Sequence, residues 1–139
     1  MTRAIVVGID GSTESRHAME WAFDESRRSE HPLHLLYAAS DDVYSPLTDT
    51  LMQDLLAEDA RRVVEQTKQQ VPADLADSTL VEWVFGTPAK VLVHASEEAH
   101  MLVVGTHGRS LVGAALRGSV SRHVASHAAC PVVVVKAPV

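Results

Sequence analysis

Five short apolar runs alternate along this chain with longer segments of helical period, and most of them end at a small or turn-forming residue. The first, Ala4-Ile5-Val6-Val7-Gly8-Ile9, stops at Asp10-Gly11-Ser12, the pattern of a buried strand followed by a turn and a helix start. Thr13 to Ser29 then places Ala18, Trp21, Ala22 and Glu25 at helical spacing. Leu33, Leu35, Leu36 and Tyr37, ending at Ala38-Ala39-Ser40, predict a second strand. Ser45-Pro46 has the form of an N-cap with proline at the first helical position. Beyond it Leu47, Leu51, Leu55, Leu56, Ala60, Val63 and Val64 make the strongest helical stripe in the chain, predicted to bury one face and fade before Pro72. Leu80 to Phe85 is a third strand ended by Gly86, and Thr87-Pro88 repeats the cap-plus-proline device ahead of Val91, Leu92, Ala95 and Ala99. Met101 to Val104 is a fourth strand ending at Gly105, a helix runs from about Ser119 to His127, and Pro131 to Val135 closes the order as a fifth strand. Strand and helix in strict alternation predict a mostly parallel sheet with helices on both faces. Without linker, repeat or low-complexity tract, residues 1–139 are expected to form one α/β domain.

Composition narrows the function classes. No apolar run approaches the ~20 residues of a membrane helix, and the N-terminus lacks the form of a secretory signal. One cysteine, Cys130, excludes an internal disulfide framework and a cysteine-built zinc site, so the cytoplasm is the default compartment. A formal charge of −6 and 4% aromatic residues disfavour nucleic-acid binding by phosphate neutralisation or base stacking. The charge is unevenly spread, however. Glu98 is the last carboxylate side chain, and Arg109, Arg117, Arg122 and Lys136 follow it. Such asymmetry is compatible with a local anion site and equally with chance.

In an open parallel sheet, ligands bind beyond the carboxyl ends of the strands, where the strand order reverses. The loops there begin at Asp10, Ser40, Gly86 and Gly105. The fourth is the richest in glycine, with Gly105, Gly108 and Gly118 able to bring backbone N–H groups close to a ligand. Ser119 then opens a helix, whose first N–H groups and dipole favour an anion. These features describe a phosphate cradle, against the simpler reading of a glycine-rich corner. Several alternatives fail on their own motifs. The chain has no Gly-x4-Gly-Lys-Ser/Thr, no Gly-x-Gly-x-x-Gly after the first strand and no hydrolase elbow around Ser110. Phe85-Gly86 stands where a receiver domain would need a phosphorylatable aspartate.

Gly105-x2-Gly108-x9-Gly118-Ser119 matches the ATP-binding signature of the universal stress protein family, which the chain resembles over its whole length. The likeness extends to Ile5-Val6-Val7-Gly8-Ile9-Asp10-Gly11-Ser12, Leu33-His34-Leu35-Leu36-Tyr37-Ala38, Gly86-Thr87-Pro88 and Ala129-Cys130-Pro131-Val132-Val133-Val134. The resemblance implies a single open, doubly wound, five-stranded parallel sheet of order 3-2-1-4-5, whose reversal lies between strands one and four. It further implies that Gly105, Thr106, His107, Gly108, Gly118, Ser119, Val120 and Ser121 surround the phosphates and ribose of ATP, with Mg²⁺ brought by the phosphates. Asp10, flanked by Gly8 and Ile9, would face the nucleoside, and Ala38 would line the adenine pocket. Ala38 is smaller than the aliphatic often found there, with Ala39 and Phe85 as residues that could add packing. Asp10 has a second reading as a turn that only caps the first helix. Arg109 and Arg117 lie outside the signature, as triphosphate contacts or solvated loop charges.

By the same resemblance, the last strand, Val132 to Val135, would pair with its twin in a homodimer, and lysine at Val133 would be expected to yield monomers. The function implied is a cytoplasmic, ATP-dependent regulatory or sensor module in a stress response, acting on protein partners the sequence does not name. The alternative is a slow ATPase or nucleotidyl-transfer enzyme, for which only Asp10 and His107 are candidate bases and no catalytic motif is present. His123 and His127 stand four apart, a spacing that suits a metal but lacks a third ligand. Cys130 reads as a small buried hydrophobe rather than a sensor thiol.

Overall fold

The computed structural model describes residues 2–40, 50–106 and 119–136. The five runs become five strands: β1 (Ile5–Ile9), β2 (Leu33–Ala39), β3 (Thr79–Phe85), β4 (Met101–Gly105) and β5 (Val132–Val135). The helices between them are α1 (Thr13–Ser29), α2 (Thr50–Gln70), α3 (Pro88–Ser96) and α4 (Ser119–His127). All pairings are parallel, and the order across the sheet is β3-β2-β1-β4-β5. The chain therefore turns back between β1 and β4, as the resemblance implies.

Side-chain alternation divides the core in two. Ile5, Val7 and Ile9 of β1 join Leu33, Leu35, Tyr37 and Ala39 of β2 under α1 and α2, with Ala18, Met19, Ala22, Phe23, Ala60 and Val63 packed on them. Val6, Leu36, Leu102 and Val104 face the other way, against Leu92 of α3 and Val124 of α4. Both faces of the central strands are buried, which is why those strands read as continuous apolar runs.

Helix ends follow local chemistry. Ser12 caps α1, its Oγ accepting from the Ser15 N–H at 3.1 Å. Arg27 and Arg28 occupy the last turn, where cations suit the dipole. Glu30 ends α1 in the left-handed conformation (φ 62°), and its N–H donates to the Ser26 carbonyl at 2.8 Å. At α3, Thr87 takes the N-cap position but its hydroxyl makes no capping bond, leaving Pro88 as the start signal. Buried Ser96 ties α3 to the α4–β5 connection by accepting from the Ala129 N–H at 2.9 Å.

Two features between β2 and β3 depart from what periodicity suggests. The long stripe of α2 is buried only from Ala57 onward, through Ala60, Val63, Val64 and Thr67; Leu51 and Leu55 are 66% and 50% exposed. Leu51 and Leu55 lie about 140–180° around the helix from Ala60 and Val64, on the side turned away from the sheet, so the apolar residues of α2 do not form one continuous stripe. The cap proposed at Ser45-Pro46, and Leu47 with it, lies outside the described residues. Between α2 and β3 the chain also makes a 3-10 turn, Ala73–Ser78, that periodicity does not reveal.

Candidate functional site

The strand order brings Asp10, after β1, and Thr106, after β4, to neighbouring strand ends. The β1–β4 ladder pairs Ile5 with Met101, Val6 with Leu102 and Val7 with Val103, stopping two residues short of both carboxyl ends. The β1–β2 ladder continues to Ile9 and Tyr37. The strands on either side of the reversal thus part at their upper ends, which is where a crevice forms in folds of this kind.

Asp10 to Ser15 form a closed hydrogen-bonded turn on one side of this opening. Asp10 Oδ1 accepts from the Ser12 N–H at 2.9 Å, while the Asp10 N–H donates to Ser15 Oγ at 3.3 Å. The Ser15 hydroxyl in turn donates to the Ser12 carbonyl at 3.2 Å. Gly11 lies between them with φ 81°, a left-handed conformation that glycine adopts without a Cβ clash. Both readings of Asp10 are therefore compatible with the geometry: its carboxylate helps build the turn, and the turn stands at the reversal point.

On the opposite side, Gly105 ends β4 and Thr106 follows in a bend. The Thr106 carbonyl accepts from Ser121 Oγ at 3.3 Å, so the first turn of α4 is held to the end of β4. Ser119 and Val120 open α4 half-buried, Val120 packing against the core under α3. The first N–H groups of such a helix have no partner within it, and its dipole favours negative charge. His107, Gly108, Arg109, Arg117 and Gly118 lie outside the described residues.

Gly105 has a structural reason to be glycine that the sequence does not disclose. A Cβ there would stand 2.9 Å from the Glu14 carbonyl oxygen in the first turn of α1. Gly8 faces α3, where a Cβ would meet Leu92 Cδ1 at 2.7 Å. The Ile9 side chain is buried in the α1-side core, so a ligand above it would meet its backbone. Ala38 is half-buried and shares its face with Leu36, whereas Ala39 belongs to the core under α1 and α2. Phe85 continues the alternation of Val81 and Trp83 toward that second face, stacking edge-on against Trp83 at 5.0 Å. Ala39 and Phe85 therefore point away from Ala38 and do not enlarge its packing surface.

Other reactive side chains have local partners. The His123 and His127 rings stack at 4.2 Å, and His127 Nδ1–H donates to the His123 carbonyl at 2.9 Å. Among the described residues, no group of three or more His, Cys, Asp or Glu is arranged to hold a metal. Cys130 is partly buried, and burial raises its thiol pKa, which keeps it protonated and weakly nucleophilic. Ser15 is the residue that sequence reasoning passed over. Its signal was the Ser12-x-x-Ser15 spacing, a capping box with serine in place of Glu or Gln.

With this geometry in place, similarity to known proteins becomes informative. The family model for universal stress proteins matches residues 1–136. The chain belongs to the universal stress protein family. Universal stress protein Rv2005c of Mycobacterium tuberculosis is 35% identical over 138 residues, covering 94% of this chain and 47% of that protein. The chain thus spans about half the length of the curated relatives it matches. Universal stress protein UspA from Lactobacillus plantarum superposes with a TM-score of 0.81 at 26% identity, over 97% of this chain and 99% of the other. A universal stress protein solved in complex with cAMP is 28% identical, with a TM-score of 0.72 and 96% coverage of each chain. Among the described residues, no helix is long and apolar enough to cross a membrane.

Proposed function

We propose that this universal stress protein chain is an adenine-nucleotide-dependent regulatory module of the cytoplasm, taking ATP with Mg²⁺ at the carboxyl ends of β1 and β4. The observation that carries the reading is the parted β1–β4 end, flanked by the Asp10 turn and by the start of α4. The cAMP complex of a 28% identical neighbour supports the adenine class of ligand. In this reading the nucleoside meets Asp10, the backbone of Gly8 and Ile9, and Ala38. The phosphates meet Gly105, Thr106, Ser119, Val120 and Ser121, completed by Gly108 and Gly118 of the signature and by His107 and Arg109 beside them. Mg²⁺ would take most of its ligands from phosphate oxygens and water, which suits a site whose protein donors are hydroxyls and N–H groups.

Binding rather than turnover is favoured by the state of Asp10. One of its carboxylate oxygens accepts from the Ser12 N–H at 2.9 Å, a bond that ties the group to the turn. A general base would have to be free to orient water at the terminal phosphate. The module is further proposed to act as a homodimer through β5, passing its occupancy to protein partners.

Calorimetric titration of nucleotide-free protein with Mg-ATP, alongside Gly118→Ala, tests the reading. Saturable binding that the substitution abolishes is expected. At a hundredfold excess over Kd, the bound ligand should stabilise the fold by about 2.7 kcal/mol, visible as a rise in Tm. A folded, empty chain that takes no nucleotide would discard the mechanism, and multiple-turnover phosphate release would favour the ATPase alternative.

A further inference from the structure

Ser15 stands in the first turn of α1, is 7% exposed, and makes three hydrogen bonds within the Asp10 turn. Its N–H donates to Ser12 Oγ at 3.1 Å, its hydroxyl donates to the Ser12 carbonyl at 3.2 Å, and its Oγ accepts from the Asp10 N–H at 3.3 Å. In a capping box the third helical residue reaches back to the N–H of the N-cap. Here the Ser12 N–H is taken by Asp10 Oδ1 at 2.9 Å, and Ser15 reaches two residues further, to Asp10 itself. The helix thereby fixes both ends of the aspartate: the backbone through Ser15 and the carboxylate through Ser12.

We propose that Ser15 is a positioning residue of the nucleotide site, holding the Asp10 carboxylate at the angle from which it meets the nucleoside. The proposal rests on the nucleotide reading above. Without the hydroxyl, the Asp10 N–H loses its acceptor and the turn gains alternative conformations, only one of which presents the carboxylate correctly. Ser15 need not touch the ligand for this to weaken binding.

The test compares Mg-ATP affinity of the wild type with Ser15→Ala, Ser15→Thr, Asp10→Ala and the Ser15→Ala/Asp10→Ala double variant. Ser26→Ala is the control: Ser26 is equally buried in α1, and its hydroxyl donates to the His31 carbonyl at 2.6 Å, at the far end of the helix. Ser15→Ala is expected to weaken binding about fivefold, the value of one ordinary hydrogen bond. Ser15→Thr, which keeps the hydroxyl, should restore most of that loss. Ser26→Ala should lower Tm with Kd unchanged. The double variant should bind no worse than Asp10→Ala, because Ser15 acts only through Asp10. In ligand-free protein, hydrogen exchange at the Asp10 amide should accelerate in Ser15→Ala and stay slow in Ser26→Ala. Losses that multiply in the double variant, or an unchanged Kd in Ser15→Ala, overturn the proposal. If the wild type binds no adenine nucleotide, the nucleotide reading fails by itself, and an unaltered Asp10 amide in Ser15→Ala would remove the positioning role as well.

Discussion

Glycine at position 105 has two separable reasons, and they predict different experiments. The signature assigns it to a ligand loop; the packing assigns it to the Glu14 carbonyl, 2.9 Å from where a Cβ would stand. Backbone in the first turn of a capped helix cannot swing aside, so Gly105→Ala should cost about 1–3 kcal/mol even without nucleotide. Gly8→Ala meets the tip of the Leu92 side chain, which can change rotamer, and should cost less. Urea midpoints of the two ligand-free variants check the order; equal midpoints would mean that α1 yields as easily as a leucine. Asp10 and Gly105 were legible from the sequence because they belong to motifs. Ser15 was legible only as half of a capping spacing with Ser12, because its bond to the Asp10 backbone, five positions earlier, exists only once the turn has formed.

Helices and strands are legible in the sequence where burial is two-sided and less so where apolar residues stand on both sides of a helix. In α2, Leu51 and Leu55 stand exposed because, at about 100° per residue, they lie about 140–180° around the helix from Ala60 and Val64. Apolar residues chained by short spacings can pass from one face of a helix to the opposite one, and only one of those faces meets the sheet. The 3-10 turn before β3 was invisible for a different reason, since part of its anchoring is long-range. Arg27, in the last turn of α1, reaches Asp74 with its Nε at 2.8 Å, and that bond holds the Asp74 carboxyl below its ordinary pKa. A depressed carboxylate contributes stability above its unfolded pKa, near 4, and loses it as pH falls through the folded value. Asp74→Asn should therefore leave Tm with a shallower fall on the acid side than wild type, while neutral-pH stability drops slightly. The difference should shrink at high salt because both side chains meet solvent. Parallel acid limbs for the two proteins would show that the pair contributes nothing.

Across the molecule, the arrangement of faces decides how β5 can serve an interface. Val133 and Val135 pack against the core under α1, Val132 packs with the α3 side, and Val134 is 42% exposed. Lysine at Val133 would injure that core as well as any dimer, so the test expected from the sequence alone would be ambiguous. Val134→Lys is the cleaner variant. It should halve the mass seen by light scattering with little change in the unfolding midpoint of the monomer; an unchanged dimer would defeat pairing through this strand.

The alternation of buried runs and amphipathic segments was sufficient for the α/β class, the order of elements and their approximate bounds, because burial on both sides of a central strand leaves a continuous apolar run. The glycine and serine spacing after β4 was sufficient to suggest an anion loop, and family resemblance supplied the sheet order. Two features depended on the folded chain: Gly105 lying under the Glu14 carbonyl, and Ser15 closing on Asp10. Each is a contact between groups whose separation is set by how elements pack or turn. Period and composition describe one segment at a time, and they carry no information about the distance between atoms on two of them.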